Sequence, residues 1–289
     1  IRENPYEYIL KWADKNLIGV GRQAFKIIAL QPSSLFLPDI SSSIITNISN
    51  FVIGNPGDGK SSLSKMYSKL CYNPLVRRTI TEADLIATVS DMKWVSIAVE
   101  DLAQSSQDYG VIKAFEGILG EEKSISKSTL RDKYLGEVKG IALFGVTPQE
   151  LETFAKELES GLLSRCVVTL IRITREDRKK ISEFITLHAG DSEHIKELNK
   201  LEDAVIDFYD ELKMILRGKH KEYLEKTFGK DNNKKIITAI KGYKIQDSFK
   251  KQLLHRWNSI SNRMQDNGQI PNNRDLFTYY KFLVNLAFL

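Results

Sequence analysis

The chain has 289 residues, 42% hydrophobic and 27% charged, a soluble, core-forming composition that argues against a disordered chain and suffices for one large domain or two ordinary ones. Two cysteines far apart and four scattered histidines lack metal-ligand spacing, so a reducing compartment and no structural zinc are expected. The net charge is +5, and the absence of a run of about 18 apolar residues or of a signal pattern at Ile1-Arg2-Glu3-Asn4-Pro5 predicts a cytoplasmic protein with no membrane partner.

Taken in chain order, Pro5 to Leu30 places Tyr8, Ile9 and Trp12, then Phe25, Ile28 and Ala29, at helical spacing, with a break at Gly19-Val20-Gly21; two short helices with a glycine joint are predicted. Gln31 to Ser34 and Ser41 to Ser43 bracket a loop-like segment. Asn50 to Ile53 then reads as a buried strand, and Ser61 to Tyr72 as a helix with Leu63, Met66, Tyr67 and Leu70 on its apolar face. Trp94 to Val99, Gly140 to Val146 and Val167 to Ile173 read as further core strands of a parallel sheet. Strands alternate with helices, the pattern of an α/β sandwich. From Arg175 onward helical patterns replace the strands: Ile181 to His188, Leu201 to Leu216, Asp247 to Met264 and Asn273 to Leu289. A helical second domain is expected there.

Between the first strand and its helix lies Gly54-Asn55-Pro56-Gly57-Asp58-Gly59-Lys60-Ser61, a P-loop in its required strand–loop–helix context. Such a loop turns successive backbone N–H groups toward a phosphate, and the helix behind it adds its positive end. Lys60 would neutralise the β and γ phosphates, Ser61 would ligate magnesium, and Ser62 is the second hydroxyl at the helix start. ATP and Mg2+ are therefore the expected ligands. Val95 to Val99 ends in Glu100-Asp101, a carboxylate pair at a strand end suited to holding magnesium through Glu100 and orienting water through Asp101. The same pair would also serve as the acidic start of a helix.

These landmarks resemble an AAA+ ATPase and, within that superfamily, the motor module of minichromosome maintenance (MCM) helicases. Gly140 to Pro148 is similar to the strand carrying the sensor 1 residue, with Thr147 in place of the usual asparagine. Gly161-Leu162-Leu163-Ser164-Arg165 resembles the element whose arginine reaches the active site of the next subunit, which makes Arg165 the implied arginine finger. Ile270 to Leu276 is similar to the start of the sensor 2 helix, and Arg274 would touch the γ phosphate. Ser124-Ile125-Ser126-Lys127 resembles the pre-sensor-1 β-hairpin, whose lysine, here Lys127, would contact the DNA backbone. The resemblance implies an AAA+ P-loop core over residues 1–174 and an all-helical lid over 175–289 with a basic insertion. It also implies DNA as partner and a homo-oligomeric ring, expected as a hexamer.

Several features depart from the family pattern. The pair Glu100-Asp101 reverses the usual Asp-Glu order, and only about forty residues separate Lys60 from it, leaving little room for the helix 2 insertion. Between Lys213 and Arg256 stand thirteen Lys and Arg against four Asp and Glu, a block suited to nucleic acid or to a solvated helical face. A divergent relative is expected, viral or plasmid-borne, with a host cytoplasm as its place in the viral case. The first residue is not Met, which fits a piece of a longer protein. Two other readings stand beside the motor: a nucleotide-switched DNA-binding or loading protein with weak hydrolysis, and a remodelling ATPase of the MoxR and chelatase type.

Overall fold

The computed structural model describes residues 4–37, 39, 45–90, 92–102, 109–120, 124–126, 134–152, 161–188 and 191–217, with single residues 251, 255, 258, 259, 262, 266 and 281 beyond them. The chain opens with helix α1 (Pro5–Asn16), for which Asn4 supplies the cap by accepting the Glu7 N–H at 3.2 Å and Pro5 pre-sets the first turn. Its exit is forced by glycines. Gly19 takes φ +82°, and a Cβ on Gly21 would lie 1.9 Å from the Ala13 carbonyl oxygen, so only glycine lets α2 (Gly21–Ile28) fold back on α1. Trp12 and Phe25 seal the pair edge to face, 5.4 Å apart.

The segment expected as loop at Gln31 to Ser34 is instead a helical turn, α3 (Gln31–Ser34). Its polar side chains are buried and used. Gln31 donates to the carbonyls of Ile48 and Ala142 at 3.1 and 2.8 Å, and Ser34 accepts the Ile48 N–H. These hydrogen bonds offset the burial of polar groups that a composition argument assigns to the surface.

Strand β1 (Ser49–Ile53) is followed by α4 (Lys60–Leu70), β2 (Pro74–Arg77), α5 (Glu82–Val89), β3 (Trp94–Val99), α6 (Tyr109–Leu119), β4 (Ser124–Ser126), β5 (Tyr134–Glu137), β6 (Lys139–Val146) and β7 (Cys166–Leu170). Five strands form one all-parallel sheet in the order β2-β3-β6-β1-β7, and β4 and β5 make a separate antiparallel pair. The predicted strands at Asn50, Trp94 and Gly140 are present within a residue of their expected bounds, and the one at Val167 ends at Leu170 rather than Ile173. They read as continuous apolar runs because helices cover both faces. Phe51, Ile53, Val95, Ile97, Val99, Ala142, Phe144 and Val146 share a core with α5 and α6. Val52, Ala98, Ile141 and Leu143 point to the other side, among α1, α2 and α4.

Helices α7 (Arg175–His188) and α8 (Ser192–Leu216) follow. The expected boundary at residue 174 falls between β7 and α7. α8 docks on the same core as α1 and α4: Val205 and Tyr209 are fully buried, the Tyr209 hydroxyl donates to the Ala29 carbonyl at 2.5 Å, and Lys69 pairs with Glu202 at 2.5 Å. Nearly all of the helical patterns from Asp247 onward, and the basic block from Gly218 to Arg256 apart from Lys251 and His255, lie outside the described residues. Among the described residues, no helix is long and apolar enough to cross a membrane.

Candidate functional site

Ligands of open parallel sheets bind beyond the carboxyl ends of the strands, and the predicted phosphate-loop residues lie there. Gly54 continues β1, and its N–H donates to the Val146 carbonyl at 3.1 Å, tying the loop to the end of β6. Gly57 and Gly59 both adopt φ +86°, which other residues adopt only with strain. A Cβ on Gly57 would touch nothing within 4 Å, so the requirement there is conformational. α4 starts without any side-chain cap or acidic residue in its first turn, leaving its N–H groups and positive end open to an anion. Ser61 and Ser62 are exposed at that start.

Two charged groups give the loop its shape. Asp58 is 1% exposed, and its carboxylate accepts the Asn55 N–H at 2.9 Å while its own N–H donates back to the Asn55 carbonyl at 3.1 Å. It staples the loop rather than facing a ligand, where its charge would oppose a phosphate. Lys60 curls over the loop and donates to the carbonyls of Gly54 and Asn55 at 2.6 and 3.0 Å. Burial lowers the Lys60 pKa, opposed in decreasing order by Glu150, Asp58 and Asp101.

The order of those charges brings in a residue absent from the predicted set. Glu150 follows β6 by one turn of the helical residues 148–152, where its carboxylate accepts the Thr147 N–H at 2.6 Å and its own N–H donates to the Thr147 hydroxyl oxygen at 3.3 Å. That reciprocal pair is a capping box. The Thr-x-x-Glu spacing was available to find the cap, but not its convergence on Lys60, which needs β6 beside β1. Thr147 is thus at the predicted strand end, with its hydroxyl oxygen engaged by the helix it starts.

Glu100 and Asp101 also reach this edge. The Glu100 and Asp101 N–H groups donate to the Arg77 and Arg78 carbonyls at 3.0 and 2.9 Å, so pairing with the chain leaving β2 carries both carboxylates past the end of β3. Of the two, Asp101 is the one whose charge acts on Lys60. Gly145 lies so close that a Cβ there would sit 2.6 Å from the Glu100 carbonyl oxygen, a second requirement for glycine outside the P-loop motif. The glycine joint of α1 and α2 closes another side: Leu17 and Val20 come within 3.7 Å of the position of a Cβ on Gly59.

Among the described residues no group of three or more His, Cys, Asp or Glu is placed to hold a metal ion. The donors present are hard oxygens, the Ser61 hydroxyl and the Glu100 and Asp101 carboxylates. This set suits magnesium, which binds through one or two carboxylates and completes its shell with water and substrate phosphates.

Arg165 does not join this cluster. It ends a single 3-10 turn, Leu163–Arg165, just before Cys166, which pairs with Ser49 at the start of β1. The length of β1, roughly 17 Å at ~3.3 Å per residue, separates it from the phosphate loop of its own chain. Its guanidinium donates to the Gly161 carbonyl at 2.9 Å. Lys127 and Arg274 lie outside the described residues; the antiparallel pair β4 and β5 falls between α6 and β6 in the chain.

Neither a protein-family model nor a curated protein sequence matches the chain.

Proposed function

We propose that the chain is an AAA+ ATPase resembling the MCM motor module, binding ATP with magnesium and coupling its hydrolysis to work on DNA. The observation that carries the reading is the convergence at one sheet edge of an uncapped helix start, a glycine loop holding Lys60, and carboxylates from the ends of β3 and β6. In this reading the loop N–H groups and Lys60 bind the phosphates, and Ser61 with Glu100 holds magnesium. Asp101 accepts the proton of the attacking water, and Thr147 orients that water. Glu150 holds the Thr147 backbone and opposes the lowering of the Lys60 pKa by burial.

The far-edge position of Arg165 supports a role in trans, in which the arginine stabilises the transferring phosphoryl group on a neighbouring copy of a ring, a hexamer in the MCM case. The extra β4–β5 pair supports the pre-sensor-1 hairpin group, and α7 with α8 would begin the lid. Lys127 and Arg274 keep the DNA-contact and sensor 2 roles that the resemblance implies.

The deciding measurement is steady-state ATPase activity with and without single-stranded DNA, for wild type, Lys60→Ala and Arg165→Ala. DNA should stimulate the wild type, Lys60→Ala should lose ATP binding, and Arg165→Ala should bind ATP but turn over slowly. Equal rates with and without DNA, with hydrolysis retained, would favour the MoxR-type remodelling ATPase. The nucleotide-switched loader is favoured by one specific observation: the Thr147 hydroxyl oxygen is engaged in a helix cap. ATP-dependent DNA binding without measurable turnover would select it.

A further inference from the structure

At the opposite edge of the sheet from the phosphate loop, three half-buried rings meet. Phe36 packs edge-on against Tyr72 and against Trp94, with centroids 5.5 Å apart in both cases. The Arg217 guanidinium lies 4.2 Å over the Tyr72 ring and 5.8 Å from that of Trp94, and the Lys93 ammonium lies 5.0 Å over Trp94. Among the described residues the buried Nε of Arg217 has no hydrogen-bond partner. Beside the rings opens a cavity of about 180 Å³, walled by Leu35, Phe36, Leu37 and Trp94, with Lys93 and Glu137 contributing charge. The Asp39 carboxylate at the same cavity is balanced by Lys139 at 3.0 Å. Glu137 is the last residue of β5, and Arg217 leads directly into the most basic stretch of the sequence.

Apolar planes with cations on their faces, beside a cavity of about 180 Å³, match a polymer that alternates bases with phosphates. A duplex keeps its bases stacked and offers none to the cleft. An acidic peptide would satisfy the cations but leave the aromatic walls unfilled. We propose that this face binds single-stranded nucleic acid, with one base entering the cavity against Trp94 and Phe36 and with Lys93 and Arg217 neutralising the flanking phosphates. The inference rests on the nucleic-acid half of the function proposed above and is independent of ATP hydrolysis. DNA and RNA share the required chemistry.

The test is fluorescence anisotropy with labelled oligo(dT), oligo(U) and an abasic oligomer of equal length, about 20 nucleotides each. Wild type, Lys93→Glu, Arg217→Ala and Trp94→Leu are compared, and binding of a fluorescent ATP analogue serves as the control for folding. Trp94→Leu should weaken the base-bearing oligomers about tenfold while leaving the weaker abasic oligomer unchanged. Lys93→Glu, a change on an exposed side chain, should weaken all three oligomers about tenfold and steepen none of the salt dependences. Tighter binding of oligo(dT) or of oligo(U) identifies the natural polymer, and either supports the site. Strong binding by wild type that all three variants retain within twofold would overturn it while leaving the nucleic-acid reading intact. Equal binding of the abasic oligomer, or equal competition by poly-glutamate, would also overturn it. Failure of wild type to bind any oligomer would overturn both.

Discussion

Gly145→Ala should uncouple nucleotide binding from hydrolysis. A Cβ at residue 145 would lie 2.6 Å from the Glu100 carbonyl oxygen, inside the 3.0 Å that Cβ contacts essentially never cross. β3 and β6 must therefore part by roughly half an ångström at this point. β6 is the anchored partner, because Gly145 is paired with Val52 and the next residue, Val146, accepts the Gly54 N–H. Beyond Val99 the Glu100 and Asp101 N–H groups pair with the Arg77 and Arg78 carbonyls, at the end of the edge strand β2, so Glu100 and Asp101 are the residues expected to give way. Overpacking of this kind costs about 1–3 kcal/mol, and misplacing a reacting group by ~1 Å lowers a rate by as much as ~10²-fold. Urea denaturation should show the loss of stability, ATP affinity should stay within about threefold, and single-turnover hydrolysis should fall about tenfold or more. A variant with the clash in place that hydrolyses ATP within twofold of wild type would refute the assignment of the chemistry to the Glu100–Asp101 edge.

Because burial lowers the Lys60 pKa, its ammonium loses its proton below the ordinary lysine range, and in the proposed function ATP binding would need that proton. Affinity should fall as pH rises through this window in wild type but stay flat in Lys60→Arg; parallel profiles would count against the lysine as the cause. The sign for folding is opposite: a lysine with a lowered folded pKa binds fewer protons than the unfolded chain, so its contribution to stability rises with pH over the same window. Lys139→Met removes an ammonium that bonds to the Leu37 carbonyl, Asp39 and Thr46 at 2.9, 3.0 and 2.9 Å. Since the paired side chains keep 11% and 18% exposure, a loss of about 2–4 kcal/mol is expected in chemical denaturation, and no change in the midpoint would contradict it. Tyr209→Phe deletes the hydrogen bond that fixes α8 to the end of α2 and leaves the Ala29 carbonyl short of a donor. About 1–2 kcal/mol should be lost, with faster amide exchange in α8 as the local signature.

What the sequence made legible follows from burial. β1, β3 and β6 are covered on both faces and read as unbroken apolar runs, and the P-loop announced itself through its glycines. β2 did not, because it is a four-residue edge strand that starts at Pro74 and carries a half-exposed Val76 and Arg77. α3 was obscured by polar residues whose partners, Ile48 and Ala142, come from distant segments. The site was legible one strand end at a time. Glu150 acts on Lys60 only because β6 is inserted beside β1, and Arg165 is remote only because Cys166 pairs with the first residue of β1 rather than the last. Both facts belong to strand order and register, which no local pattern encodes.

The central place of β1 has a consequence for biosynthesis. Its neighbours β6 and β7 are synthesised some 90 and more than 100 residues after it, so the phosphate loop has no neighbouring strand to hold it until the ribosome has passed residue 146, and β1 lacks its second neighbour until residue 170. At about 5–20 residues per second, that wait is on the order of ten seconds. Through it Phe51, Val52 and Ile53 form a naked apolar edge. In the proposed function nucleotide would not assist the early stages of folding, because the Gly54 N–H gains its partner only when Val146 arrives. A ribosome-bound chain truncated before β6 should therefore be a client of holding chaperones and indifferent to ATP.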